Sequence, residues 1–130
     1  MNENKIKELI EEAIKARENS YAKYSNFRVG AVVVDEKGNH YSGVNVENGS
    51  YGLSNCAERT AIFTAITNGM QKIDIICVVA DTTNPVSPCG ACRQVMKEFA
   101  HDKTVIILAN LKRDYKIMTM EELLPYGFEL

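Results

Sequence analysis

The 130-residue sequence is 45% hydrophobic and 25% charged, with a net charge of −2. This is the composition of an ordinary globular protein, and a chain of this length buries roughly two-thirds of its unfolded surface, which suffices for a core without disulfides. We expect a single domain over residues 1–130. No lysine and arginine cluster is present to follow a phosphate backbone, which argues against a nucleic-acid partner.

Nothing in the sequence predicts contact with a membrane. The longest apolar runs are far shorter than the ~18 residues that a transmembrane helix requires. Residues 1–5 lead into an amphipathic segment and not into the apolar core of a signal peptide. Four cysteines interpreted as thiolate ligands plus a core residue fit a reducing compartment, so we expect a cytoplasmic protein.

The first part of the chain predicts a helix and then a β-hairpin. Apolar residues recur at spacings of three and four over residues 3–18, as in an amphipathic helix. Residue types then predict a connector, a strand, a turn, a second strand and a loop, at 21–27, 29–34, 35–39, 41–46 and 48–52. That loop leads into the first of two cysteine motifs.

The rest of the chain alternates helices with strands. A second helix follows the first cysteine motif and stops at Asn68, and a buried strand is expected at 73–80. Pro88 suits the first turn of a third helix, with Ser87 as its N-cap. Two strands and a helical turn complete the chain, at 105–109, 116–118 and 121–124. This alternation predicts an α/β fold, a mixed sheet of roughly five strands with helices on both faces.

The two cysteine motifs carry the clearest chemical signal. Cys56-Ala57-Glu58 is followed about thirty residues later by Pro88-Cys89-Gly90-Ala91-Cys92. Three thiolates supply all but one ligand of a tetrahedral zinc ion, and an open fourth position is typical of a catalytic site. Glu58 is placed to move protons at that position. The pattern is the signature of zinc-dependent base deaminases.

Helix geometry indicates where the metal would lie. Side chains two residues apart on a helix diverge by roughly 200°, so Cys56 and Glu58 can serve one metal only over the helix end. We therefore expect zinc between the N-termini of the second and third helices. Three thiolates leave a net charge of −1 on the site, which the helix N-termini and Arg59 could offset. From charge alone, Arg59 could equally be a solvated helix residue.

Several of these residues also have simpler interpretations. A Cys-x-x-Cys pair occurs in redox proteins and in zinc ribbons, but neither explains the third cysteine with its glutamate. Glu58 could instead close a capping box with Asn55. Cys77 lies in an apolar run and is expected in the core. His40 and His101 lack ligand-like spacing and are expected at the surface.

Six segments match the pattern of one enzyme family: 24–31, 43–48, 55–61, 80–82, 88–94 and 123–128. The Cys-Ala-Glu and Pro-Cys-x-x-Cys motifs mark the deaminase superfamily, and Asn-x-Glu-Asn at 45–48 marks nucleoside deaminases. Over nearly its whole length the chain resembles the small, three-cysteine, homotetrameric cytidine deaminases. The resemblance implies cytidine deaminase-like α/β/α layers and zinc-dependent hydrolysis of cytidine, and of deoxycytidine, to the uracil nucleoside and ammonia in pyrimidine salvage.

The resemblance also implies the metal chemistry of the site. Cys56, Cys89 and Cys92 would bind one zinc ion per chain. Glu58 would shuttle protons between water, N3 of cytosine and the departing ammonia, and Arg59 would hydrogen-bond the ligand thiolates.

The implied substrate-binding residues are Phe27, Asn45, Val46, Glu47, Tyr51, Ala57 and Phe128. Asn45 and Glu47 would hold the ribose 3′-hydroxyl, Phe27 would pack on the pyrimidine, and the backbone at the start of the second helix would read the base edge. Tyr51 and Phe128 would enter the site of a neighbouring subunit, where Phe128 stacks on the base. On sequence alone, Phe128 could instead be a core residue.

Two positions depart from the family pattern, and three other functions compete with the one that it implies. Arg28 stands where proline is common, and Gly127 where alanine is common, which could loosen Phe128.

A deaminase for another small aminopyrimidine, such as blasticidin S, is the nearest rival, but Glu47 favours an ordinary ribonucleoside. A deoxycytidylate deaminase would need a phosphate site, which is not evident. A zinc-stabilised binding module would not need Glu58.

Overall fold

The computed structural model describes residues 1–130 and contains one five-stranded sheet. The helices are α1 (Glu3–Arg17), α2 (Ala57–Thr67), α3 (Gly90–Phe99) and α4 (Met120–Leu123). The strands are β1 (Val29–Asp35), β2 (His40–Val44), β3 (Ile73–Ala80), β4 (Ala100–Asn110) and β5 (Tyr115–Met118). The strand order is β2-β1-β3-β4-β5, and only β3 and β4 pair in parallel. The predicted α/β fold with a mixed sheet is confirmed.

Helices cover both faces of the sheet because its central strands are apolar on both sides. All seven residues of β1 are buried, and alternate side chains along it face opposite layers. Val32 and Val34 pack against α1, whereas Ala31 and Val33 join the core beneath α2, α3 and α4. Cys77 is fully buried in the layer of α1, as predicted, and burial raises the pKa of its thiol to about 12.

The pairing of strands brings the two cysteine motifs to one edge of the sheet. On β1, Gly30 pairs with Val44, the last residue of β2, and Val29 pairs with Ala80, the last residue of β3. The chain therefore leaves β2 towards the first motif and leaves β3 towards the second at neighbouring positions. Gly43 allows α2 to pack closely on β2, because a Cβ at this position would lie 2.3 Å from the backbone nitrogen of Ala61 in α2.

Several predicted boundaries differ from the structure. The predicted N-cap of α3 is wrong: Cys89 is the cap, its Sγ accepts a hydrogen bond from the Cys92 amide at 3.4 Å, and Pro88 lies outside the helix. Ser87 instead accepts a hydrogen bond from the Arg93 guanidinium at 2.7 Å. The strand predicted at 105–109 begins earlier, directly after α3, and the strand predicted at 41–46 spans His40–Val44. None of the helices has both the length and the apolar composition needed to cross a bilayer.

The two histidines lie away from the cysteines. His40 is 2.8 Å from the carboxylate of Glu12, and His101 is 2.8 Å from that of Asp74. Both histidines are half-buried rather than fully at the surface. Neither belongs to the group of side chains able to hold a metal ion.

Candidate active site

A short backbone pairing brings the substrate segment of the sequence next to the first cysteine. Val46 and Asn55 exchange two backbone hydrogen bonds of 2.9 Å, and Val46 also forms a bridge with Tyr21. Cys56 follows as the N-cap of α2, so Val46 and Glu47 lie beside the end of that helix. The segment 45–48 and the first cysteine motif at 56–58, which lie about ten residues apart in the sequence, are therefore neighbours in the structure.

The three cysteines predicted as zinc ligands converge at the N-termini of α2 and α3. Cys56 and Cys89 are the two N-caps, and Cys92 lies in the first turn of α3. All three Sγ atoms lie within 4.8 Å of one another, and the sulfurs of Cys56 and Cys89 are 3.9 Å apart. Zn–S bonds of about 2.3 Å in a tetrahedron separate sulfurs by about 3.8 Å, so the cluster fits a zinc ion.

Positive charge surrounds the cluster. Nη2 of Arg59 donates a hydrogen bond to Cys56 Sγ at 3.4 Å, while its buried Nε has no partner within the chain. A hydrogen bond from Cys92 and the guanidinium of Arg59 lower the pKa of the Cys56 thiol to about 5. The helix N-termini of α2 and α3 also favour anions. These contacts favour the thiolate of Cys56, the form of cysteine that binds metal, whereas the hydrogen bond to Cys56 and burial raise the pKa of Cys92. Arg59 contacts the cluster and is not simply a solvated helix residue.

Glu58 is buried beside the cluster. The residue is only 4% exposed, and it lies in the first turn of α2. The alternative capping box is absent, because Cys56 is the N-cap and the Asn55 side chain donates to the Thr60 hydroxyl at 3.0 Å. Burial, and then the nearby Cys56 charge, raise the pKa of Glu58 to about 7. A carboxyl group with this pKa can both accept and release a proton near neutral pH.

Asn45 is largely occupied by contacts within the chain. Its Oδ1 accepts hydrogen bonds from the Val29 amide at 2.9 Å and from the Ser20 hydroxyl, and its Nδ2 donates to the Phe27 carbonyl at 2.7 Å. A side-chain amide has two N–H groups, so one remains free for a ligand. Asn45 consequently holds the backbone of Phe27 in place in addition to any contact that it makes with substrate.

Glu47 is held in one orientation by the connector before β1. Its Oε1 accepts hydrogen bonds from the amides of Tyr24 at 2.9 Å and Ser25 at 3.1 Å, and its Oε2 accepts one from the Ser25 hydroxyl. The bonds from Ser25 lower the pKa of Glu47. Lone pairs on Oε2 remain free, and the carboxylate lines a cavity of about 300 Å³ together with Tyr24, Ser25, Tyr51 and Ser54.

Ser20 and Ser25 hydrogen-bond the predicted substrate residues Asn45 and Glu47, and the sequence did not indicate either contact. Ser25 falls within the matched segment 24–31, but nothing local indicates that its hydroxyl reaches a carboxylate 22 residues further on. Ser20 lies outside every motif and contacts Asn45 across 25 residues. Of the two residues, only Ser25 has a local sequence signal: a serine two residues before Phe27 can form a turn, although this does not predict the contact with Glu47.

The aromatic residues predicted to line a substrate site are exposed. Phe27 is 43% exposed, Tyr51 is 77% exposed and Phe128 is 69% exposed. The rings of Tyr51 and Tyr24 pack edge to face, with centroids 6.2 Å apart. Ala57 is fully buried at the start of α2. The alternative of Phe128 as a core residue is wrong, and within one chain these rings leave the site open.

Comparisons with known proteins agree with this geometry. Residues 3–109 match the model of the cytidine and deoxycytidylate deaminase zinc-binding region. The chain is 52% identical to a cytidine deaminase of Halalkalibacterium halodurans, over 92% of this chain and 91% of the relative. It is 49% identical to a cytidine deaminase of Sporosarcina psychrophila, over 95% and 90% respectively.

A solved structure extends the similarity to three dimensions. The crystal structure of a cytidine deaminase from Burkholderia pseudomallei superposes with a TM-score of 0.91 at 46% identity, covering 98% of this chain and 100% of that one. The agreement includes the sheet and the layers of helices on its two faces. By sequence and by fold, the chain belongs to the cytidine and deoxycytidylate deaminase family.

Proposed function

We propose that the chain hydrolyses cytidine, and deoxycytidine, to the corresponding uracil nucleoside and ammonia. The observation that carries this proposal is the convergence of three cysteine sulfurs within 4.8 Å of one another at the end of the helix that buries Glu58. The relatives named above are cytidine deaminases, and the fit of the cysteine cluster identifies Zn²⁺ as the cofactor. We assign one zinc ion to each chain.

The reaction requires a nucleophile and a proton carrier. When bound by Cys56, Cys89 and Cys92, zinc supplies Lewis acidity that makes a hydroxide nucleophile available near neutral pH. Glu58 takes the proton of the attacking water and delivers it to N3 of cytosine, which makes C4 electrophilic. After the C4–O bond forms, Glu58 takes the remaining proton from the C4 hydroxyl and passes it to the exocyclic nitrogen. The C4–N bond then breaks to release ammonia, and the C4 oxygen becomes the carbonyl of uracil. The pKa of about 7 suits both transfers.

The ribose distinguishes a nucleoside from a free base. Glu47 has lone pairs left on Oε2 to accept the 3′-hydroxyl, and Asn45 has one N–H left to donate. Phe27 packs on the pyrimidine, Val46 lies along the substrate, and the backbone of Ala57 reads the base edge. Because the contacts of Glu47 depend on the sugar, free cytosine should be a poor substrate.

We also propose that the protein is a homotetramer with shared active sites. The exposure of Tyr51 and Phe128 supports this proposal, because both rings lie in solvent in the single chain and are free to contact a neighbouring subunit. Tyr51 and Phe128 of one chain would then close the site of its neighbour. A cytoplasmic location is in keeping with four free cysteines, three of which must stay reduced to bind metal. The role that follows is pyrimidine nucleoside salvage.

Ammonia release from cytidine, deoxycytidine, cytosine and cytidylate tests the proposal. We expect turnover of the two nucleosides and little of the base, and an absence of turnover would favour a zinc-stabilised binding module. Glu58→Gln should retain zinc and lower kcat by about 10²–10⁴-fold, because glutamine cannot carry a proton. Glu98→Gln, on the exposed surface of α3, is the matched control. Retention of a tenth of the activity by Glu58→Gln would remove Glu58 from the mechanism.

A further inference from the structure

The residues after α4 lie against α3 and are held there by polar contacts. We call residues 124–130 the C-terminal segment. Gln94 Nε2 donates to the Phe128 carbonyl at 3.0 Å, and the Phe128 amide donates to Gln94 Oε1 at 3.2 Å. The Lys97 ammonium lies 2.8 Å from the Glu129 carboxylate. Gln94 therefore satisfies both backbone groups of Phe128 and leaves its ring free.

Gly127 lets the C-terminal segment lie closely on α3. A Cβ at this position would lie 2.4 Å from Cδ of Lys97 and 2.8 Å from Cδ2 of Leu124. Whether Gly127 loosens Phe128 stays a prediction; the missing methyl group leaves room for the Lys97 and Leu124 side chains beside the backbone. The backbone before it is turned, with Tyr126 at a φ of 55°.

Burial of apolar side chains contributes little to holding the C-terminal segment in place. Tyr126 is 101% exposed, Phe128 is 69% exposed and Leu130 is 116% exposed. A segment whose large side chains lie in solvent gains little from packing on its own chain, so its conformation depends on directional bonds. The Gln94 side chain supplies two of those bonds, and it is half-buried.

We propose that Gln94 is a positioning residue, which fixes the backbone of Phe128 so that the ring is presented to a neighbouring subunit's site. This rests on the proposed role of Phe128 in closing that site. Gln94 follows Cys92 by two residues on α3. The same helix therefore carries ligands of its own chain's zinc site and holds the backbone of Phe128, whose ring would enter a neighbouring subunit's site. Gln94 contributes through Phe128 and does not itself contact substrate.

A double-mutant cycle tests this proposal on the zinc-loaded protein. Wild type, Gln94→Leu, Phe128→Ala and the double variant are compared for kcat/KM on cytidine, zinc content and sedimentation. Loss of two hydrogen bonds to Phe128 should lower kcat/KM by about 5- to 30-fold, mainly through KM. Zinc content should not change. Because both changes act on one ring, the double variant should be no worse than Phe128→Ala.

Two further measurements separate positioning from a general loss of structure. Exchange of the Phe128 amide proton should accelerate in Gln94→Leu, whereas amides inside α2 should exchange at the wild-type rate. Gln71→Leu is the matched control, since Gln71 is the other glutamine of the chain and is exposed. Should Gln94→Leu lose zinc or fail to fold, Gln94→Glu keeps the acceptor for the Phe128 amide and should show a smaller loss in kcat/KM.

The cycle distinguishes this proposal from the proposed function. A loss of activity in Phe128→Ala with none in Gln94→Leu would overturn the positioning role and leave the role of Phe128 intact. Losses that multiply in the double variant would also overturn it, because Gln94 would then act independently of the ring. An unaffected Phe128→Ala would overturn the shared-site role and the positioning role together. A wild type without turnover would refute the proposed function itself.

Discussion

The two ends of the candidate site are built differently. At the metal end, Cys92 and Glu58 are buried, and all three sulfurs lie at helix N-termini within one chain. At the substrate end, Phe27, Tyr51 and Phe128 are between 43% and 77% exposed. Proton transfer and metal binding need fixed, desolvated groups, which one small fold supplies. Recognition of a flat base uses surfaces on both of its faces, and in the proposed function Phe27 covers one face and Phe128 of a neighbouring subunit covers the other.

This difference determines where single substitutions should act. Changes at the cysteines should abolish chemistry and, through loss of the metal, weaken the fold, whereas Glu58→Gln should abolish chemistry with zinc retained. Changes at the substrate end should act on kcat/KM for nucleosides and leave zinc in place. Loss of zinc from a substrate-end variant would show that the two ends are not separate.

The largest effect is expected for Cys89→Ala. Two thiolates bind zinc much less tightly than three, and metal binding is coupled to folding, so the variant should lose zinc, activity and thermal stability together. Metal analysis of the purified protein is the measurement. Cys77→Ala serves as the control, because Cys77 is buried in the opposite layer and its loss should leave one zinc ion per chain. Full zinc occupancy in Cys89→Ala would refute the ligand assignment.

An intermediate effect is expected for Glu47→Gln. The amide cannot accept all of the bonds that the carboxylate now receives from Ser25 and Tyr24, and it weakens a charge-assisted bond to the ribose. We expect kcat/KM for cytidine to fall by about 10- to 100-fold with zinc retained. Steady-state kinetics with cytidine and cytosine check this. If wild type used both substrates equally well, the ribose assignment would be wrong.

A smaller effect is expected for Ser25→Ala. The Ser25 hydroxyl is the first cause of the lowered pKa of Glu47, so its removal should raise that pKa and lower kcat/KM by about fivefold. As pH falls, Glu47 would become protonated earlier, so the acidic limb of the kcat/KM profile should move to higher pH. Ser42→Ala, on the exposed side of β2, should leave the profile unchanged. A shift towards lower pH would contradict the role given to Ser25.

Local sequence patterns predicted most of the fold and the metal end. The periodicity of 3–18, the hairpin and the buried strand at 73–80 correspond to elements of the structure, and the spacing of the cysteine motifs predicted a cluster at two helix ends. The helices and strands depend on residues close in sequence. The cysteine cluster joins residues 33 apart, but it was recognisable because the motifs have the spacing of metal ligands. The N-cap of α3 was misassigned because Ser87 and Pro88 have the usual preferences for a helix start, whereas Cys89 caps it through its sulfur.

The remaining features depend on contacts between distant residues. Ser20 reaches Asn45 across 25 residues, Ser25 reaches Glu47 across 22, and Gln94 reaches Phe128 across 34. No propensity or spacing rule specifies which hydroxyl or amide will meet which partner once the chain has folded. The substrate end is built largely from such contacts, which is why its supporting residues became visible only in the structure.

Combining two impaired chains tests most directly the claim that each site combines its own chemistry with a neighbour's ring. Glu58→Gln keeps Phe128 but lacks the proton carrier, whereas Phe128→Ala keeps Glu58 but lacks the ring. In an equal mixture of co-expressed chains, half of the sites carry Glu58 and half of those receive an intact ring, so about a quarter of wild-type kcat/KM should return. Activity no greater than the sum of the two separate variants would show that no chain completes the site of another.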